Sequence, residues 1–389
     1  MPIEESRSGI IREFLEQHEL QGWLSWRPDE LLLQLGHTPY WGISVLLYLQ
    51  SGERILFAPE LEPKGAIPAD IDLVFYPWGR LGCANPFAIL TDKLNIELCK
   101  RHLARHSIGT SSNPGRSSLP ILSAEQPPIP DLALQELIRG MANSATLDAG
   151  FLALYQFKTD AEIEQIRIAN RVALAGLDAW RASLAPGVTE AETAALAEAE
   201  IHRHTGGPGI HSARGWAMVQ SGVNTAFAGS FNRSSGRRIE SGDLVLIELA
   251  TCVNGYWSDL TRTLPIGEVT AQSAELLAAV HTAQQSAIGL VRPGISAREV
   301  DAAARDALAR VGFAESFTHA TGHHVGFRYH DPGFAIAPGI DVPLTRGMVV
   351  TIEPGAYLAN RCMGARTEDN IAVTANGADI LSAESHDLK

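Results

Sequence analysis

Gly242-Asp243-Leu244-Val245-Leu246-Ile247-Glu248 and Gly347-Met348-Val349-Val350-Thr351-Ile352-Glu353 read as one phrase written twice. Each is a glycine-led turn, a largely apolar run of strand length and a terminal glutamate. The two glutamates lie 105 positions apart, 248 to 353. A second pair of phrases stands upstream of them. Leu184-Ala185-Pro186-Gly187-Val188-Thr189 is followed by Glu192, and Val291-Arg292-Pro293-Gly294-Ile295-Ser296 by Glu299. A hydroxyl residue with glutamate three positions on is the capping-box form, so each announces a helix. The prolines are 107 positions apart, 186 to 293. Matching order at nearly equal spacing predicts a duplicated helix–strand unit with pseudo-two-fold symmetry. Each half then adds a second acid downstream, Asp259 in the first and Glu368 in the second.

Between Glu248 and Glu368 the chemistry-bearing residues run Glu248, Asp259, His319, His323, His330, Glu353, Glu368. Each carboxylate sits in or beside an apolar run, where an unpaired acid is costly to bury. Taken singly, Asp259 reads as a capping acid, His323 as a core histidine and Glu353 as the end of a strand. Taken together, four acids and an imidazole converging in a dry site need positive charge. A pair of divalent ions would supply it, and carboxylate-rich ligation suits a two-metal hydrolytic centre. In such a centre a water shared by both ions becomes the hydroxide nucleophile.

The rest of the 389-residue chain sets bounds. That length accommodates two domains with separate cores. A net charge of −13 without a basic block argues against nonspecific nucleic-acid binding. The stretch Leu31–Leu49 is interrupted by Gln34, His37 and Pro39, a poor membrane span, and the acidic start lacks a signal pattern. A cytoplasmic protein without a membrane partner is expected. Cys83, Cys99, Cys252 and Cys362 show no paired spacing and read as inert. Residues 1–155 read as a mixed α/β unit: a helix over Ser8–His18, strands at Val45–Leu49 and Arg54–Phe57, and a loop-rich stretch over Ser107–Pro130. Thr159-Asp160-Ala161-Glu162 opens a long helix to about Leu184, so the second domain is placed at 156–389. The alanine-rich run Glu190–Glu200 reads as an exposed amphipathic helix.

The motifs around the acids are Gly255-Tyr256-Trp257-Ser258-Asp259-Leu260-Thr261-Arg262-Thr263, His319-Ala320-Thr321-Gly322-His323-His324-Val325-Gly326 with His330-Asp331, Ile352-Glu353-Pro354-Gly355, and Gly364-Ala365-Arg366-Thr367-Glu368-Asp369. In this order and spacing the chain resembles the pita-bread metallopeptidases, which include methionine aminopeptidase, aminopeptidase P, prolidase and creatinase. The long N-terminal domain favours the aminopeptidase P/prolidase branch. The resemblance implies an α/β (α+β) protein, with an N-terminal mixed-sheet domain and a C-terminal pita-bread domain built on a cupped antiparallel sheet. It further implies that Asp259 and Glu368 bridge two divalent ions, that Glu248 is the terminal acid on one, and that His323 and Glu353 ligate the other. His319 and His330 would line the substrate site and stabilise charge on the scissile carbonyl oxygen. Glu353 would also carry the proton to the leaving nitrogen, Arg366 would orient the bridging carboxylate, and Thr261 would hydrogen-bond near the bridging water. Mn²⁺ is the first choice of metal, with Co²⁺ and Zn²⁺ as alternatives. The substrate implied is the Xaa-Pro bond of a short peptide, and the assembly a homodimer. His37, Tyr40 and Trp41 are candidates for substrate or dimer contacts, with ordinary core and loop positions the better reading.

Three positions depart from the family pattern. Glu248 stands where Asp is usual, and His324 where many relatives have Gly. The turn Ser221-Gly222-Val223-Asn224 is usually followed by a substrate-facing His, whose position is Gly229 here. Glu248 and Gly229 keep open a hydrolase of a small non-peptide amide, as creatinase is. A non-catalytic binding protein on the same scaffold is the third reading, and one that loss of ligands would accompany. All five ligand-type positions are retained here. His324 reads as packing or as support for its neighbour, and His211 as an ordinary loop histidine.

Overall fold

The structure is a computed structural model and describes residues 6–39, 42–62, 67–78, 85–111, 131–228 and 234–383. Tyr40, Trp41, Cys83, Gly229 and most of the expected loop before Pro130 therefore lie outside the described residues. The chain divides into two compact units, 1–155 and 156–389. Among the described residues no helix is long and apolar enough to cross a membrane.

The first unit comprises helices α1 (Arg7–Gln17), α2 (Pro28–Leu35), α3 (Pro86–Lys100), α4 (Asp131–Leu137) and α5 (Ala145–Ala153). Its strands are β1 (Gly22–Ser25), β2 (Val45–Leu49), β3 (Arg54–Pro59), β4 (Asp72–Tyr76) and β5 (Ile108–Thr110). They form one sheet in the order β4-β3-β2-β1-β5. β1 runs antiparallel to β2 and parallel to β5, so the sheet is mixed. β2 is buried along its whole length, which matches its unbroken apolar sequence. His37 is part of this interior, with Nε2 3.6 Å from Glu62.

The second unit shows the duplication directly. Its first half has α6 (Asp160–Ser183), α7 (Glu190–Arg203), β6 (Ala213–Ser221), β7 (Leu244–Val253) and β8 (Tyr256–Pro265). The second half has α8 (Ala271–Ile288), α9 (Ala297–Arg310), β9 (Val349–Ile352), β10 (Gly355–Leu358), β11 (Met363–Arg366), β12 (Asp369–Val373) and β13 (Ala378–Ile380). The capping boxes at Thr159 and Thr189 form as read, and at Ser296 the Glu299 carboxylate accepts from Ser296 N at 3.0 Å. In both Pro-Gly turns the glycine takes a left-handed conformation, φ 94° at Gly187 and 88° at Gly294, which a side chain would resist. The same backbone bonds then recur in each half. Gly187 N donates to Ile239 O and Gly294 N to Leu344 O, each at 2.8 Å. Ile239 N donates to Val188 O and Leu344 N to Ile295 O, again at 2.8 Å.

Each half buries its own apolar set. The first packs Ala169, Val172, Ala173, Leu177 and Trp180 of α6 onto Val245, Ile247 and Leu249 of β7. The second packs Leu276, Val280 and Ala283 of α8 with Val300, Ala304 and Leu308 of α9 onto Val350, Ile352 and Ile371. Full burial of each larger aliphatic side chain contributes roughly 1.5–3 kcal/mol, so these two cores fix the strands that carry the acids. The strands form antiparallel sheets in the orders β6-β7-β8 and β13-β12-β9, with β10-β11 as a separate hairpin.

One expectation is corrected here. The run from Glu190 was read as an exposed helix, yet Glu190, Ala194, Ala197 and Ile201 of α7 are buried. Glu190 is only 1% exposed, and Oε1 accepts from Ser221 N, Ser221 Oγ and Asn224 Nδ2 at 2.6, 2.8 and 2.9 Å. Oε2 accepts from Ser235 N at 3.0 Å and from the Ser235 hydroxyl. A carboxylate with five donors is satisfied without water, so its burial is stable. It ties both ends of the 222–235 segment to the helix start.

Candidate metal centre

Register explains how the acids meet. On the antiparallel pair β7–β8, Glu248 lies opposite Thr261 and Ala250 opposite Asp259. Side chains alternate along a strand, so Glu248, Asp259 and Thr261 share one face. In the second half, Asp369 of β12 pairs with Ile352 of β9, which sets Glu368 and Glu353 beside each other just past that rung. The halves join where Glu368 N donates to Thr261 O at 3.0 Å and Thr261 Oγ1 donates to Glu368 Oε2 at 2.7 Å.

His323 enters on an extended segment packed against β9. Its N donates to Thr351 Oγ1 at 3.0 Å, and Thr351 N returns to His323 O at 2.8 Å. Gly322 permits this approach, because a Cβ there would stand 1.9 Å from Thr351 O. His323 Nδ1 lies 3.0 Å from the carbonyl of His324, which can only accept, so Nδ1 carries the proton. Nε2 faces the acids, 3.4 Å from Asp259 Oδ2 and 3.5 Å from Glu353 Oε1. An imidazole fixed in that tautomer by its other nitrogen is poised for ligation.

Two groups of potential ligand atoms result, each within 4.8 Å mutually: Asp259, His323 and His330, and His323, Glu353 and Glu368. The expected ligands Asp259, His323, Glu353 and Glu368 are thus brought together, and His330 joins them. Glu248 is in neither group. One of its oxygens accepts from Arg366 Nη2 and the other from the hydroxyl of Tyr329.

The donors fit a hard divalent cation. Asp259 and Glu368 are each 1% exposed, and Asp259 Oδ1 and Glu368 Oε1 are buried with no hydrogen-bond partner among the described residues. Desolvation, reinforced by the neighbouring acids, raises both carboxyls well above their ordinary range. Burial also raises Glu248, with Arg366 opposing. Orphaned oxygens on crowded acids are the arrangement a cation would complete. The sign of the pH effect follows. Raised folded-state pKa values stabilise the ion-free protein below the ordinary carboxylate range, and that stability is lost as pH rises through them. A divalent ion binds the deprotonated form. The gap in Tm between Mn²⁺ and chelator should therefore widen from about pH 5 to about pH 8. A gap that narrows over that range in a thermal-melt series would contradict the assignment.

Several of the expected site residues make contacts that the sequence did not indicate. His319 has no free N–H to offer a substrate carbonyl: Nδ1 bonds the Ala320 carbonyl at 2.8 Å and Nε2 meets the Tyr357 hydroxyl at 2.9 Å. Desolvation lowers its pKa and keeps it neutral. With the His319 proton on Nδ1, the Tyr357 hydroxyl donates to Nε2 and itself accepts from Arg366 Nη1 at 2.8 Å. Arg366 was expected to orient Glu368. It instead bonds Glu248 directly and reaches Glu368 only through Thr261 Oγ1, to which Nε donates at 3.2 Å. Carboxylates and Tyr357 outweigh desolvation and hold Arg366 charged. His330 is exposed, stacks on Tyr329 at 4.4 Å and meets His323 edge-on at 4.1 Å between ring centroids. His324 is buried, edge-on to Phe334 at 4.8 Å, and its carbonyl sets the His323 tautomer. His211 is exposed, its backbone bonded to Asn254.

Other contributors were not read from the sequence. Asn370 brackets Asp259 with Asp259 N to Oδ1 at 3.1 Å and Nδ2 to Asp259 O at 2.6 Å. An Asn at the head of the apolar run Ile371-Ala372-Val373 was the available signal. Tyr329, Tyr357 and the Lys158–Asp331 pair gave none.

Residues 164–375 match the family described as metallopeptidase family M24. The probable dipeptidase PepE of Mycobacterium tuberculosis is 38% identical over 241 residues, 60% of this chain and 60% of that relative's length. An uncharacterized peptidase of Staphylococcus aureus is 29% identical over 382 residues, 96% of this chain and 98% of the relative. Among solved structures, the prolidase from Pyrococcus horikoshii OT3 superposes with a TM-score of 0.77 at 25% identity, covering 98% of this chain and 99% of that one.

Proposed function

Since this chain belongs to metallopeptidase family M24, we propose that it hydrolyses the amide bond before proline in short peptides. It does so with two divalent ions held by Glu248, Asp259, His323, Glu353 and Glu368. The observation that carries this reading is the pair of buried oxygens on Asp259 and Glu368, unpartnered among the described residues, beside Nε2 of His323. The names of the relatives, a probable dipeptidase and a prolidase, support the substrate class.

Bound divalent ions supply an acidified water and a polarised carbonyl. The remaining work falls to side chains. Glu353, half-buried just past the end of β9, accepts the proton from the attacking water and delivers it to the leaving nitrogen. Thr351 Oγ1 donates to its Oε1 at 3.3 Å and steadies it. His330 is the donor to the developing oxyanion, a contact typically worth ~10²–10³ in rate. His319 acts through Tyr357, fixing the hydroxyl that receives Arg366. Arg366 offsets negative charge at Glu248, and Thr261 orients Glu368. Mn²⁺ is the metal of choice for a ligand set with four carboxylates. The assembly proposed, from the resemblance alone, is a homodimer.

Hydrolysis of a panel with added Mn²⁺ tests the proposal: Xaa-Pro dipeptides, Xaa-Pro tripeptides, non-proline peptides and small amides. Metal-dependent cleavage confined to Xaa-Pro bonds is expected, and the preferred length separates a dipeptidase from an aminopeptidase. Cleavage of small amides alone would overturn the peptide assignment and favour the creatinase-like alternative.

A further inference from the structure

Tyr329 belongs to none of the roles above, yet its hydroxyl reaches into the acid cluster. Its ring is held on three sides, stacked on His330 at 4.4 Å and 17°, edge-on to His323 at 6.4 Å and tilted against Trp257 at 6.3 Å. The turn that carries it is pinned by Asp331, which accepts from Arg328 N at 2.7 Å and Phe327 N at 3.3 Å. Asp331 is in turn paired with Lys158 Nζ at 2.8 Å. A phenol so fixed delivers its hydroxyl to one place, the Glu248 oxygen that Arg366 does not take.

We propose that Tyr329 is a positioning residue that latches Glu248. Together with Arg366 it commits one hydrogen bond to each carboxylate oxygen and turns Glu248 away from the ligand groups formed by Asp259, His323, His330, Glu353 and Glu368. Each oxygen keeps a second lone pair, so ligation is not abolished; an ion must share Glu248 or displace the phenol. The two ions are consequently unequal. The one served by His323, Glu353 and Glu368 binds tightly, and the one that needs Glu248 binds more weakly. This inference rests on the two-ion reading.

Mn²⁺ titration by calorimetry, with metal content measured after dialysis, tests both ideas separately. Wild-type protein should show two classes of site. Tyr329→Phe keeps the ring stacking and removes the hydroxyl. It should tighten the weaker class by roughly tenfold and leave the tighter class unchanged, the effect of one hydrogen bond to a charged group. Tyr329→Leu should shift the weaker class in the same direction, which a general loosening of the fold would not do. A weaker class that stays within about twofold in both variants, or that weakens further, overturns the latch. Two equal sites in the wild type leave the two-ion reading standing and overturn the latch alone. No Mn²⁺ bound by the wild type overturns both.

Discussion

Glu368→Ala is expected to lose Mn²⁺ binding and hydrolysis together, with kcat/KM reduced by roughly 10³-fold or more. Glu368 is one of the residues by which the second half of the unit reaches the first. It is 1% exposed, its backbone and side chain are both bonded to Thr261, and its Oε1 has no partner among the described residues. Truncation removes an oxygen donor from the group that also holds His323 and Glu353. The ion-free fold should survive. Desolvation and then Asp259, Glu353 and Glu248 all disfavour the charged Glu368, so its removal relieves repulsion at neutral pH. Equilibrium dialysis, an Xaa-Pro assay and a melt in chelator separate these effects. Intact activity in the variant would overturn the site assignment. A collapse of the ion-free Tm would show that Glu368 serves the fold first.

The second large effect is at Lys158. Its ammonium and the carboxylate of Asp331 are 2.8 Å apart, and both side chains are 0% exposed. Lys158→Met leaves Asp331 as a buried acid without its cation, which typically costs about 3–5 kcal/mol. Urea unfolding should show that loss at neutral pH. Burial already raises the Asp331 pKa, with Lys158 opposing. Without the lysine it rises further, so the deficit should shrink as pH falls and Asp331 protonates. The double variant Lys158→Met with Asp331→Asn should recover much of the loss, because a neutral amide is left in place of a stranded charge. A deficit that persists unchanged in the double variant would mean that packing of the lysine stem, rather than the charge pair, supplies the stability.

The sequence disclosed the duplication because both copies must build the same turn, helix and strand, and each is written with the same few residue types. Acids set in apolar runs were legible for a related reason: burial of a carboxylate demands a partner, so Glu248, Asp259, Glu353 and Glu368 stood out. What escaped depends on contacts between distant positions. Nothing around Lys158 marks a partner at Asp331, and nothing around Tyr329 marks a contact with Glu248. Glu190 was misread for the same reason, since its five donors come from residues 31 to 45 positions later. The hydrogen-bond partners of His319 and Arg366 were not legible because residue type is local, whereas the direction of a hydrogen bond is not. His319 Nε2 is occupied by a tyrosine 38 positions away.

The join at Thr261 and Glu368 has a wider meaning. Glu248 and Asp259 come from one repeat, Glu353 and Glu368 from the other, and the backbone of the two meets where Glu368 N finds Thr261 O. His323, Glu353 and Glu368 come from the second repeat alone, whereas the group that includes Asp259 spans both. An ion held by Asp259 of one repeat together with His323 of the other would act as a clasp, and the site would double as a fastening between the two halves of the unit.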